Sequence, residues 1–212
     1  MKQLSSIIFV VISALFLISC EGNSPTHDQP STMQKSAKRG VSFNFTNIQD
    51  LPLLSPAISW SYNWANDQNS TSALWFDTNE MDFCPMCWNG SYSAAKIRQY
   101  VQEHPNTKYL LGFNEPNLTD QCNMTPAQTA EQWPQVVALA RELNLKLISP
   151  AMNYGTLAGY HDPIKWLDEF FAQPNVALGD IHAIAIHCYM ASPSAVKDYI
   201  ERFEKYGKPI WM

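Results

Sequence analysis

Short apolar runs alternate with helical segments from Lys38 onward, and this alternation restricts the fold more than any other feature of the sequence. Seven runs have the length of a strand, namely Gly40–Phe45, Ala57–Trp64, Met81–Trp88, Tyr109–Asn114, Lys146–Ala151, Ala183–Tyr189 and Pro209–Met212. Strand, loop and helix in repetition predict an α/β fold with a parallel sheet. Because seven strands exceed the usual sheet of about five or six, they favour most of a barrel.

The helices between the later strands carry their own start signals. Each of three dipeptides places a capping side chain before a proline at the first helical position, namely Thr125-Pro126, Asp162-Pro163 and Ser192-Pro193. A weaker helix is expected over 94–103. We therefore predict a (β/α)8 barrel of the TIM type. A complete barrel typically needs about 250 residues, and the chain has 212. We expect about seven strands and a barrel that is incomplete at the C-terminus.

The first 37 residues do not follow the barrel pattern. Met1 and Lys2 give a positive start, and residues 7–18 form an apolar run too short for a comfortable membrane span. The run ends in Leu-Ile-Ser before Cys20, which resembles a bacterial lipobox. An ordinary signal peptide that happens to contain a cysteine is the alternative.

These N-terminal features predict three segments. We expect a lipoprotein signal peptide over 1–19, a lipidated flexible linker over 20–37 and the barrel domain over 38–212. Lipid on Cys20 would tether the protein to a bacterial membrane in the cell envelope, facing outward, without a transmembrane helix.

Charge and composition narrow the classes of partner. The formal net charge is −5, and the 14 Lys and Arg residues form no basic run, which argues against nucleic acid. Hydrophobic residues make up 46% of the chain, which is typical of a folded domain. The sequence has no glycine-rich phosphate loop. We expect no cofactor and a monomer.

Polar and aromatic side chains collect at the carboxyl ends of the predicted strands, where a (β/α) barrel places its reactive groups. The residues that we expect to contact a ligand are Asn44, Asn63, Trp64, Trp88, Asn114, His187, Tyr189 and Trp211. Few charges and many amides and rings suit a neutral, hydroxyl-rich ligand such as a sugar. Several could instead belong to the core, and a core histidine is the alternative for His187. Of three aromatic residues that share one strand face, we expect Trp60 and Tyr62 in the core and Trp64 at the ligand.

A glutamate at the end of the fourth predicted strand is the sharpest chemical signal. Glu115 ends an apolar run, follows the amide of Asn114 and is fixed by Pro116. A carboxyl group in a partly apolar cleft can serve as a general acid. A surface glutamate at a strand end is the alternative, and the Asn-Glu-Pro context favours the acid.

Longer stretches around these residues resemble one family. They read KRGVSFNF over 38–45, WSYNW over 60–64, PMCW over 85–88, LGFNEPN over 111–117, SPA over 149–151, IHCY over 186–189 and YGKPIW over 206–211. Asn-Glu-Pro after a fourth strand is typical of the retaining barrel glycosidases of clan A. Together the stretches resemble glycoside hydrolase family 128, the Asl1-like glycosyl hydrolase catalytic domain. Its members cleave β-1,3-glucans, so the resemblance implies a polysaccharide substrate of that kind.

The resemblance also implies roles for particular residues. Glu115 would be the acid/base, and Asn114 would bind the sugar at the cleavage point. The nucleophilic carboxylate is expected just after Pro-Ile-Trp, where the sequence stops at Met212. His187 and Tyr189 would lie near that nucleophile, where the tyrosine can hydrogen-bond it. We expect the 212 residues to be a fragment of a longer protein, or else a truncated chain, and inactive alone.

Two other functions remain open. A non-catalytic glucan-binding lipoprotein, a relic of an enzyme, is the first, and the DNA after codon 212 would distinguish it from an enzyme. A barrel glycosidase that cleaves xylan or another β-glucan is the second, and product analysis on a panel of glucans would separate it.

The cysteines form a pattern of their own. Cys84 and Cys87 have the spacing of a redox or metal pair. With Cys122 and His187 the pair could complete a four-ligand zinc site. The two lie on a predicted strand, however, where positions i and i+3 point to opposite faces. We expect buried or partly oxidised cysteines and no metal. The sequence leaves open how Cys84, Cys87, Cys122 and Cys188 pair in disulfides, with a bond from Cys84 or Cys87 to Cys122 as one possibility.

Overall fold

The computed structural model describes residues 34–212. Within this range the strands are β1 (Ser36–Ser42), β2 (Ile58–Tyr62), β3 (Asp82–Phe83), β4 (Tyr109–Leu110), β5 (Lys146–Ile148), β6 (Ile181–Ala185) and β7 (Ile210–Trp211). The helices are α1 (Asp50–Leu54), α2 (Ser70–Thr78), α3 (Ala94–Glu103), α4 (Pro126–Glu142), α5 (Pro163–Phe171) and α6 (Pro193–Glu201). The predicted signal peptide, the lipidated Cys20 and most of the predicted linker lie outside the described residues.

The strands pair in parallel and in chain order. One sheet joins β1, β2 and β3, and another joins β4 to β7. A parallel bridge between Met86 and Leu111, just beyond β3 and β4, links the two sheets. Trp60 of β2 stacks on Trp211 of β7 with ring centroids 5.1 Å apart, so side chains of the second and the last strand meet. This order, with helices between strands, is that of a partial (β/α) barrel and confirms the predicted fold class.

The regular strands are shorter than the predicted ones, because single bridges replace continuous pairing near their carboxyl ends. Beyond β4 and β5, Asn114 pairs with Ala151, and Met152 pairs with Ile186. At the other end of the barrel, β1 begins two residues inside the predicted linker. The carbonyl of Ser36 accepts a 2.8 Å hydrogen bond from the Ser59 hydroxyl, which holds this start against β2.

Side-chain caps begin the helices at the predicted places. Thr125 and Gln128 form a reciprocal capping box at the start of α4. Asp162 and Ser192 each accept a backbone N–H at the starts of α5 and α6. The sequence did not predict α1 and α2, which are short or lack a clear apolar stripe. No helix in residues 34–212 is long and apolar enough to cross a membrane.

Three groups of buried side chains hold the barrel together. The largest packs the helices that follow β4 and β5 against the sheet and includes the fully buried Trp133, Trp166 and Phe170. A second packs α1 and α2 against β2 and β3. The third fills the inside of the barrel and consists of Cys84, Met86, Leu111, Ile148 and Ala183. We call this third group the inner cluster, and several of its members form the floor of a cavity.

Candidate active site

A cavity of about 630 Å³ opens at the carboxyl ends of the strands. Six of the predicted site residues line it, namely Trp64, Asn114, Glu115, His187, Tyr189 and Trp211. The structure therefore brings together residues that are up to 147 positions apart in the chain. This is the edge of a (β/α) barrel at which catalytic groups are found.

Glu115 is buried in the wall of this cavity, with 7% of its surface exposed. Its backbone N–H donates to the carbonyl of Ala151 at 3.0 Å, which ties the residue to the end of β5. The φ angle of Glu115 is 44°, in the left-handed region that residues with a side chain seldom adopt. A non-glycine residue held in this conformation marks a place where the surrounding structure dictates the backbone.

The carboxylate of Glu115 has two partners, and both meet the same oxygen. His187 Nδ1 lies 2.7 Å from Oε1, and Asn153 Nδ2 donates to Oε1 at 3.5 Å. A carboxylate can only accept hydrogen bonds, so Nδ1 carries the hydrogen whenever Glu115 is ionised. Among residues 34–212 these hydrogen bonds leave Oε2 without a protein partner, and this oxygen is available to a substrate.

Asn114 and Gln121 form an amide pair beside the glutamate. Asn114 is almost fully buried, and its Nδ2 donates to Gln121 Oε1 at 2.9 Å. Its own Oδ1 is buried and has no hydrogen-bond partner in the described part of the chain. A buried acceptor without a partner is costly, and a sugar hydroxyl in the cavity would satisfy it. Sequence reasoning missed Gln121 because it lies in an irregular loop without a pattern.

Aromatic rings also line the cavity. Tyr62 and Trp64 meet edge to face, with ring centroids 5.2 Å apart. Trp64 is 40% exposed, whereas Trp60 and Tyr62 both pack against the inner cluster and line the cavity. Trp60 and Tyr62 were expected in the core, and in the structure each of them packs in the core and also borders the cavity. Burial raises the pKa of the Tyr62 phenol, and the nearby Tyr189 and Glu115 add to the rise, so the phenol stays protonated at neutral pH.

Three predicted ligand contacts lie elsewhere. Asn44 is exposed in the loop after β1 and does not line the cavity. Asn63 uses its side chain within its own turn, where Oδ1 accepts from the Ala65 N–H at 3.1 Å. Trp88 packs against the inner cluster rather than lining the cavity. Contact of these three residues with a sugar remains a prediction.

Cys84, Cys87 and Cys122 are buried free thiols in apolar surroundings, and Cys188 is a half-buried free thiol that lines the cavity. Cys84 belongs to the inner cluster, whereas Cys87 and Cys122 belong to the cluster under the helices, so the CxxC pair does point to different sides. Burial raises the pKa of Cys84 and Cys87 well above the usual range and that of Cys122 to about 12. Thiols that stay protonated are poor nucleophiles and poor metal ligands. No group of three or more metal-ligating side chains occurs within residues 34–212.

Barrel glycoside hydrolases place their catalytic carboxyl groups at the carboxyl ends of the parallel strands. The buried Glu115 lies at such a position, beside the aromatic rings of the cavity. A family model described as the glycosyl hydrolase catalytic core matches residues 40–212. The solved structure of a family 128 subgroup II endo-β-1,3-glucanase from Pseudomonas viridiflava is 38% identical, with a TM-score of 0.74, over 84% of this chain and 70% of that one. The chain therefore belongs to the glycosyl hydrolase catalytic core family and, within it, to glycoside hydrolase family 128.

Other relatives agree with this assignment. A subgroup II endo-β-1,3-glucanase from Sorangium cellulosum is 32% identical, with a TM-score of 0.71, over 82% of this chain and 72% of that one. A subgroup I endo-β-1,3-glucanase from Amycolatopsis mediterranei, solved with laminaritriose, is 25% identical, with a TM-score of 0.55, over 84% and 69% of the two chains. Alkali-sensitive linkage protein 1 of Schizosaccharomyces pombe is 28% identical over 182 residues, or 82% of this chain. The chain spans 28% of the length of that curated relative.

Proposed function

We propose that this chain is the catalytic domain of a retaining glycoside hydrolase that cleaves β-1,3-glucan, with Glu115 as its acid/base. The observation that carries the proposal is the position of Glu115. The residue is buried at the carboxyl end of β4, its Oε1 is held by His187 at 2.7 Å, and it faces an aromatic cavity. The glucanases from Pseudomonas viridiflava and Sorangium cellulosum support β-1,3-glucan as the substrate.

Each part of the site has a role in this reaction. Glu115 would first protonate the glycosidic oxygen and later take a proton from the attacking water. Trp64 has an exposed ring on which a pyranose ring can stack, whereas Trp211 lines the cavity with its ring stacked on Trp60. The unpartnered Oδ1 of Asn114 would accept a hydrogen bond from a sugar hydroxyl.

Retention requires a second carboxylate as the nucleophile, about 5–5.5 Å from the first. Glu115 is the one carboxylate that lines the cavity within residues 34–212. We assign the nucleophile to the position that the family pattern gives it, shortly after the Pro-Ile-Trp stretch and beyond Met212. Both Trp211 and Met212 line the cavity, which supports this placement of the next residues.

The second candidate is a glucan-binding domain without catalysis, which would use the same aromatic cavity and the unpartnered Oδ1 of Asn114. Both candidates predict binding of laminari-oligosaccharides, and only the enzyme predicts their hydrolysis. A barrel glycosidase with another β-glucan or xylan as its substrate is separated by the products formed from a panel of these polysaccharides.

The test replaces Glu115 by glutamine in the natural full-length protein. Glu115→Gln keeps the shape of the side chain and removes its proton, so hydrolysis of laminaripentaose should fall by about 10²- to 10⁴-fold while binding persists. Glu131→Gln, on the exposed face of α4, is the matched control and should hydrolyse like the wild type. Equal hydrolysis by Glu115→Gln and the control would overturn the assignment.

We also propose that the protein is a lipoprotein of the bacterial cell envelope and works as a monomer. The support is the sequence pattern before Cys20, with a short apolar run of signal-peptide length and a small residue at position 19. A lipid-held enzyme of this kind would meet its polysaccharide outside the membrane that anchors it.

A further inference from the structure

Three consecutive carbonyl groups after β5 hold three parts of the site. The carbonyl of Ala151 accepts the backbone N–H of Glu115 at 3.0 Å. The carbonyl of Met152 accepts the backbone N–H of His187 at 2.8 Å. The carbonyl of Asn153 accepts Nδ2 of Asn117 at 2.7 Å. Residues 151–153 thus set the spacing between the glutamate and its histidine, and we call them the β5 template.

The side chain of Asn153 is oriented by its own neighbour. The backbone N–H of Tyr154 donates to Asn153 Oδ1 at 2.8 Å. Because the oxygen of the amide is used in this way, its NH₂ group must point to the other side, where Nδ2 lies 3.5 Å from Glu115 Oε1. The distance is long, as catalytic hydrogen bonds often are before substrate binds. Asn153 is therefore an oriented donor to the carboxylate of Glu115.

Asn117 fixes the loop that carries this donor. Its side chain is fully buried, and Nδ2 donates both to the carbonyl of Asn153 and, at 3.3 Å, to that of Tyr160. Its backbone carbonyl accepts the N–H groups of Thr156 and Leu157 at 3.0 and 2.9 Å. Asn117 follows Glu115 by two positions. One short segment therefore carries Glu115 and also hydrogen-bonds the loop that contains Asn153.

Gly155 shows how closely the loop is packed against Asn117. A Cβ atom on this glycine would lie 2.4 Å from the Asn117 carbonyl oxygen and 2.5 Å from its Nδ2. A side chain at position 155 would therefore push the loop away from Asn117.

We propose that Asn117 and Asn153 are positioning residues for Glu115. Asn153 donates to Oε1, and Asn117 holds Asn153 in place, so that Oε2 is presented to the glycosidic oxygen. This inference rests on the proposed function, because the orientation of Glu115 matters for catalysis only if Glu115 is the acid/base. Neither asparagine lines the cavity, so both act through Glu115 rather than by contact with the sugar.

The test compares two substrates in the natural full-length protein. Cleavage of laminaripentaose needs the acid to protonate a poor leaving group, whereas cleavage of 2,4-dinitrophenyl β-laminaribioside does not. The ratio of the two kcat/KM values therefore reports how well the acid is positioned. A variant that only lowers the amount of folded protein lowers both values together and leaves the ratio unchanged.

Asn153→Ala should lower this ratio by about 10- to 100-fold, the scale of a catalytic group misplaced by a fraction of an ångström to one ångström. The loss should appear in kcat for laminaripentaose, with KM near the wild-type value. Asn175→Ala is the matched control, since its Nδ2 likewise donates to a backbone carbonyl, that of Ala130, away from the cavity. This control should leave the ratio unchanged.

A double-mutant cycle tests whether Asn117 acts through Asn153. Asn117→Ala should lower the ratio in the wild-type background and cause no further loss in the Asn153→Ala background. If Asn117→Ala does not fold, Gly155→Ala disturbs the same contact from the loop side and takes its place in the cycle.

The outcomes separate this inference from the proposed function. An unchanged ratio in Asn153→Ala, in a protein whose hydrolysis is abolished by Glu115→Gln, overturns the positioning role alone. Full and independent losses from the two asparagine variants overturn the coupling between them. Unaltered hydrolysis in Glu115→Gln overturns both the inference and the proposed function.

Discussion

Trp64 and Trp88 follow the neighbouring strands β2 and β3, but their side chains lie in different surroundings. Trp64 has a φ angle of 62° and lines the cavity with an exposed ring. Trp88 packs its ring against the inner cluster. The sequence predicted a ligand contact for both residues, because each one ends a predicted strand. The structure therefore favours a ligand contact for Trp64 and a packing role for Trp88.

Alanine substitutions at these two positions should have opposite signatures. Trp64→Ala should weaken binding of laminaripentaose by about 1–3 kcal/mol, because a ring face is lost from the cavity, with little change in stability. Trp88→Ala should lower the free energy of unfolding by about 3 kcal/mol, because a void is left beside the inner cluster. Calorimetric titration and denaturant unfolding of both variants measure the two effects. Weaker binding by Trp88→Ala at unchanged stability would return Trp88 to the set of ligand contacts.

Sequence reasoning reached Glu115 and His187 but not the residues that orient them. Glu115 ends an apolar strand within a recognisable Asn-Glu-Pro context, which carries a local signal. Asn117 and Asn153 lie in irregular loops 36 positions apart, and their contact exists only after β4 and β5 pair. Polar residues in loops have no periodicity from which such a contact could be predicted.

At the scale of elements, the centres of the strands were predictable and their ends were not. The apolar run that contains β5 predicted a strand through Ala151, whereas regular pairing stops at Ile148 and resumes as bridges at Ala151 and Met152. A run of apolar residues indicates burial and not regular strand pairing. The residues after β5 stay buried because they line the barrel, so the apolar run extends past the end of the strand. The carbonyls of Ala151 and Met152 accept the hydrogen bonds of these two bridges, so the pairing that continues past β5 also holds Glu115 and His187.

Helix starts were more predictable than strand ends because they depend on local chemistry. A capping side chain followed by proline specifies a start without any tertiary contact, and α4, α5 and α6 begin as predicted. The helix α2 begins with an Asn69 cap but has no proline and no apolar stripe, so the sequence left it unassigned. Its place is set by packing of Phe76 against Phe45 and Phe83.

At the scale of the whole molecule, the proposed lipid anchor can be separated from the barrel. Cys20→Ser removes the site of lipidation and should shift the protein from the membrane fraction to the soluble fraction. In the natural full-length protein, hydrolysis of laminaripentaose should equal that of the wild type, because Cys20 lies before residues 40–212, which match the catalytic family. Fractionation of cells followed by immunoblotting measures the shift. A Cys20→Ser protein that still sediments with membranes would show that lipid on this cysteine is not the anchor.

Azide can show whether Glu115 is the acid/base of a retaining mechanism. In the Glu115→Gln variant of the natural full-length protein, 2,4-dinitrophenyl β-laminaribioside should still form the glycosyl-enzyme, and its hydrolysis should become limiting because the base is missing. Azide needs no base, so it should restore turnover and release β-laminaribiosyl azide, identified by the anomeric proton in the NMR spectrum. An α-azide, or a variant that azide does not accelerate, would show that Glu115 is not the acid/base of a retaining mechanism.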